Sequence, residues 1–131
     1  MTWQILEGEN SIPLTLFEAA AELDAGPIYL QELLNLEGNE LIKEWQSIQA
    51  KETIQLCLRW FDKYKEIIPA AQPQSGESSN YGRRRPKDSR LDINLSLAEQ
   101  FDLLRVVDNE RYPAFFELQN KTYLLQIQED N

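Results

Sequence analysis

The segment that most limits what this chain can become is 69–79, "PAAQPQSGESS", where two prolines, a glycine and three serines interrupt both helix and strand. It offers almost nothing to bury and reads as a linker. A chain of 131 residues suffices for one domain, or one domain with an appendage. A domain of this size buries about two thirds of the surface its unfolded form exposes. Hydrophobic residues at 42% and charged residues at 27% lie near globular averages, so the chain is expected to fold. The pattern divides into 1–70, a linker with a basic cluster at 71–90, and a shorter piece at 91–131.

Ahead of the linker, Thr15 and Glu18 have the spacing of a capping box, and Leu16, Ala19, Ala20 and Leu23 recur at helical spacing. This predicts a short helix from Thr15 to about Leu23. Asp24, Ala25, Gly26 and Pro27 would stop it, with Gly26 able to turn left-handed. "IYLQELL" then reads as a strand, "LEGNE" as a turn, and 39–68 as a long helical pattern. Leu41, Trp45 and Ile48 share one face while Ile54, Leu58 and Phe61 share another, and the change of phase near Glu52 predicts a kink or two consecutive helices. Beyond the linker, Ser96 and Glu99 repeat the capping-box spacing, and Leu97, Phe101 and Leu104 line one face of a helix over 96–107. "AFFEL" and "TYLLQI" around "QNK" predict a β-hairpin.

Charge and residue inventory exclude several chemistries. The net charge of −9 opposes nonspecific nucleic-acid binding, because that affinity comes from cations displacing counterions along phosphates. The charge is uneven: 83–90, "RRRPKDSR", holds five of the 13 cationic side chains against one acid, leaving eight cations against 21 acids elsewhere. Histidine is absent, which rules out Ser-His-Asp and Cys-His catalysis and histidine-built zinc sites within these residues. Cys57 has no partner for an internal disulfide and reads as a small buried hydrophobe. No run of 18 apolar residues occurs and the start lacks a secretory pattern, so a cytoplasmic location is expected.

Taken alone, Asp24 is either punctuation at a helix end or a chemical group, although a helix C-terminus disfavours an anion. "YGRRRPKDSR" is a solvated basic loop, an anion site in which Arg83, Arg84 or Arg85 grips phosphate, or a clamp onto the protein's own acidic surface. Phe101, Tyr112, Phe115, Phe116 and Tyr123 fit core packing better than a base-stacking surface, and Trp3, Trp45 and Trp60 likewise read as packing residues.

Together, "WQILEGENSIPLTLFEAAAELDAGPIYLQ" resembles the second half of the catalytic domain of the formyltransferases that use 10-formyltetrahydrofolate, a family that includes methionyl-tRNA formyltransferases and sugar-amine N-formyltransferases. The resemblance is carried by Trp3, Ile5, Gly8, Glu9 and Thr15, then by Leu23-Asp24-x-Gly26-x-Ile28. The stretch "YGRRRPKDSRLDINLSLAEQFDLLRVVDNERYPAFFEL" resembles the region C-terminal to that domain in sugar-modifying members. The implied fold is α/β: the C-terminal part of a Rossmann-like formyltransferase domain, then a linker, a helix and a β-hairpin.

By this resemblance Asp24 is the catalytic aspartate, acting beside an asparagine and a histidine, and Leu23, Asp24 and Gly26 line the pterin pocket. The implied reaction has an amine attack the formyl carbon of the folate; the amine must lose a proton and the developing oxyanion must be stabilised. The family's Asn and His lie further upstream of the aspartate than the 23 residues that precede Asp24 here. The expectation is therefore a piece starting at an internal methionine, inactive alone, whose strand has lost its parallel neighbours and whose apolar surface is exposed. Such a piece is expected to self-associate or to need the missing half. The implied substrate is the amine of a nucleotide-linked sugar or similar small molecule, with Arg83, Arg84 or Arg85 on its anion. The alternatives are a methionyl-tRNA formyltransferase-like piece, or a non-catalytic assembly module keeping half the fold; nucleic-acid and membrane binding are not expected.

Overall fold

The computed structural model describes residues 1–22, 25–76 and 80–130. Its helices and strands gather into two compact units: Met1–Asn10, Leu36–Trp45 and Tyr81–Asn131 form the first, Ser11–Asn35 and Gln46–Asn80 the second.

In the second unit, β1 (Ser11–Phe17) pairs antiparallel with β2 (Ile28–Asn35), in a register running from Ser11 opposite Asn35 to Leu16 opposite Leu30. The helix expected from Thr15 is thus replaced in its first turn by strand. Ile12, Leu14 and Leu16 alternate with Ser11, Pro13 and Thr15, a period of two, and ladder bonds to β2 outweigh a local capping-box spacing. The parallel strand expected at 28–34 is corrected too: β2 pairs antiparallel with β1, Phe17 lying opposite Ile28. α2 (Ile42–Ile67) buries Leu56 against this hairpin. Its regular backbone breaks at Lys63 (φ −122°, ψ 17°), so the interruption expected near Glu52 falls nearer the helix end. The phase change at Glu52 has a different cause: Ile54, Leu58 and Phe61 are exposed, Phe61 at 70%, and with Leu33 they give the unit bare apolar side chains. Cys57 is also exposed, against the expectation of burial, since it shares a turn with Ile54 and Leu58 and not the Leu56 side.

In the first unit, α1 (Thr2–Leu6) buries Ile5 and ends at Gly8, whose φ of +81° suits a residue without Cβ. The box at Ser96 forms, its hydroxyl accepting from the Glu99 amide and donating to the Glu99 carboxylate, but helical residues start only at α3 (Phe101–Arg105). Leu97 consequently lies outside the helix and is exposed, while Phe101 and Leu104 join Leu91, Val107 and Ala114 in the core. β3 (Ala114–Leu118) and β4 (Lys121–Leu125) form the expected hairpin, with Gln119 and Asn120 at φ +51° and +63°, a turn that matches strand twist. Among the described residues no helix is long and apolar enough to cross a membrane.

Candidate functional site

Leu23 and Asp24 lie outside the described residues; the backbone that flanks them is held on several sides. The Glu18 amide donates to the Pro27 carbonyl at 2.9 Å. Gly26 is needed there for closeness, not for the left-handed turn expected of it: a Cβ at this position would sit 1.8 Å from the Glu18 carbonyl oxygen, and its φ is not positive. The Gly26 carbonyl accepts from Gln74 Nε2 at 2.7 Å, and the amides and carbonyls of Ile28 and Gln72 are exchanged at 2.7 and 2.9 Å. Burial and a hydrogen bond to the Glu18 carboxylate raise the Tyr29 phenol above its ordinary pKa. Part of the expected linker, Gln72 and Gln74, therefore bonds to the backbone of Gly26 and Ile28. The hollow under the hairpin, lined by Leu14, Leu34 and Leu56 among others, measures about 10 Å³, too small for any pterin.

The three arginines of the first unit part company. Arg84 is half-buried and donates to the Val106 carbonyl at 3.0 Å, to the Asp88 carbonyl at 3.2 Å and to Ser89 Oγ at 3.3 Å. Burial lowers its pKa, with the Asp88 charge opposing. Arg83 and Arg85 are exposed. Arg84 is thus held by the protein itself, through two carbonyls and a hydroxyl and not through acidic side chains.

A buried charged centre escaped the sequence reading. Arg105 is fully buried and donates from Nη2 to Glu40 Oε2 at 3.1 Å, from Nη1 to Asp102 Oδ1 at 2.9 Å and Asn10 Oδ1 at 2.8 Å, and from Nε to the Glu40 carbonyl at 3.3 Å. Its own carbonyl accepts from Trp45 Nε1 at 2.9 Å. Burial works to raise the Glu40 carboxyl, but backbone amides, including those of Glu37 and Gly38, together with Arg105 hold it below its ordinary value. The signal available was an arginine set between Leu103-Leu104 and Val106-Val107. This centre ties the first unit together, with four of the five guanidinium N–H groups bonded within it.

No family model matches the chain. It is 27% identical over 79% of its length to the methionyl-tRNA formyltransferase of Thermodesulfovibrio yellowstonii, and 25% identical over 79% to that of a Sulfurihydrogenibium species. It spans 33% of the length of each. Among solved structures, methionyl-tRNA formyltransferase from Clostridium thermocellum superposes with a TM-score of 0.70 at 20% identity, over 92% of this chain and 52% of that one. HypX from Aquifex aeolicus gives 0.72 at 18%, over 95% and 22%. A likely sugar N-formyltransferase from Mycobacterium tuberculosis gives 0.65 at 17%, over 99% and 58%. The resemblance to the C-terminal portion of formyltransferases and the α/β fold that it implies are thus both found.

Proposed function

We propose that these residues are the C-terminal portion of an enzyme that moves a formyl group from 10-formyltetrahydrofolate to the amine of a nucleotide-linked sugar or similar small molecule, in the cytoplasm. The observation that carries the reading is the 27% identity over 79% of the chain, which supports the transfer of Asp24 from the family motif. Asp24 orients an imidazole or relays the amine's proton. With no histidine here, the imidazole has to come from outside these 131 residues. By the family resemblance the catalytic asparagine is supplied together with that imidazole. The small-molecule acceptor is supported by the net charge of −9 and by the likeness of "GRRRP" to sugar-modifying members.

The names of both sequence relatives favour a second acceptor, methionyl-tRNA. Calorimetry with 5-formyltetrahydrofolate, followed by formylation assays on sugar amines and methionyl-tRNA after an Asn- and His-supplying segment is restored, separates the readings. The expected outcome is no turnover by the chain alone and sugar-amine turnover on restoration, abolished by Asp24→Asn. Turnover of methionyl-tRNA alone would overturn the small-molecule assignment.

A further inference from the structure

We propose that Arg83 and Arg85, joined by Lys87, form a rigid edge that grips the diphosphate of the substrate, and that Arg84 between them is the anchor of that edge. This rests on the small-molecule reading above and says where its phosphates bind. Arg85 is extended (φ −126°, ψ 164°), and exposure alternates along the segment, with Arg83 out, Arg84 in and Arg85 out. In extended backbone alternate side chains leave on one side, roughly 6–7 Å apart at their roots. Arg83 and Arg85 are both exposed, while Arg84 between them is turned in.

The edge is held from behind. Arg84 spends three hydrogen bonds on Val106, Asp88 and Ser89. The Arg85 amide donates to Asp88 Oδ2 at 2.6 Å, Pro86 opens the one-turn 3₁₀ helix Pro86–Ser89, and the buried Ser89 hydroxyl donates to the Tyr112 carbonyl at 3.2 Å. Ordering costs that a flexible basic loop would meet on binding are thus already met in folding.

The outward cations are also unspent. Among the described residues Arg59 pairs with Glu32, Arg90 with Glu117 and Arg105 with Glu40 and Asp102, whereas Arg83, Arg85 and Lys87 enter no ion pair. A guanidinium fork meets phosphate oxygens two at a time, which makes such a pair a strong local anion site. A short, doubly charged group satisfies it. A long polyanion does not, because the other eight cations of the chain face 21 acids and a strand extending past the loop meets net negative surface.

The test is calorimetric titration of the full chain at low salt with inorganic pyrophosphate, uridine diphosphate and a short single-stranded RNA. Arg83→Gln and Arg85→Gln are each expected to weaken pyrophosphate binding about tenfold, the loss of one charge-assisted contact. Lys121→Gln, an exposed cation elsewhere, is expected to change it less than twofold, and melting temperatures confirm that each variant folds. No pyrophosphate binding by the unmodified chain, or equal binding by the Arg83/Arg85 double variant, overturns the proposal. RNA bound more tightly than pyrophosphate, with a steeper salt dependence, overturns it in favour of a nucleic-acid surface. The readout needs no folate and no turnover. A folate-analogue titration on the same samples therefore reports separately on the formyl-transfer reading.

Discussion

Arg105 is the residue on which the first unit depends, since its charge is fully buried and answered by Glu40, Asp102 and Asn10. Removing one partner of such a pair leaves the other charge without an answer in a poorly solvated place, at a cost of about 3–5 kcal/mol. Arg105→Ala and Glu40→Ala are each expected to lose that much in denaturant unfolding, and the double variant to lose less than the sum. Acid acts on the same carboxylate. Its folded pKa is depressed below the ordinary 4.5, so its contribution is present above that pH and is lost as pH falls through the folded value. Glu99, held down by Ser96, and Asp108, held down by the amides of Glu110 and Arg111, act in the same direction. Thermal melts should therefore show stability falling below about pH 4.5, with a shallower fall in Glu40→Gln. At Gly26, alanine would place a methyl against the Glu18 carbonyl, and a loss of about 1–3 kcal/mol is expected, read by denaturation. The site was legible only in part for a physical reason. Asp24 and Gly26 stand in a contiguous motif, whereas Arg105 and Asn10 are 95 positions apart and no local pattern joins them.

Elements that depend on neighbours in sequence were the ones the sequence disclosed. β3 and β4 are joined by two residues at positive φ, and turn chemistry with two β-rich flanks sufficed to mark them. β1 failed the same reading because its strand character depends on β2, beyond an intervening loop, while "TLFE" carries a local helix signal. On α2 the apolar residues divide by partner. Leu56 is buried against the hairpin, so Leu56→Ala is expected to cost about 2–5 kcal/mol. Phe61, exposed at 70%, should tolerate serine within about 0.5 kcal/mol while binding of an apolar dye falls. Calorimetry and dye fluorescence on the two variants would check both.

At the scale of the whole molecule, the chain leaves one unit for the other at Asn10, Asn35, Trp45 and Asn80. Linker composition at 69–79 suggested a simple division in sequence order; composition carries no information about which distant segments share a core. Residues 81–131 lack the Ile5, Asn10 and Glu40 that complete their unit, and as an isolated peptide they are expected to show no cooperative melt by circular dichroism. The weave also sets an order of events during synthesis. The second unit is complete once Asn80 has emerged from the ribosome, whereas Glu40 and Asn10 wait for Arg105. At roughly 5–20 residues per second that interval is about one to five seconds. For that time the nascent chain carries a finished hairpin and helix beside segments still open to a chaperone.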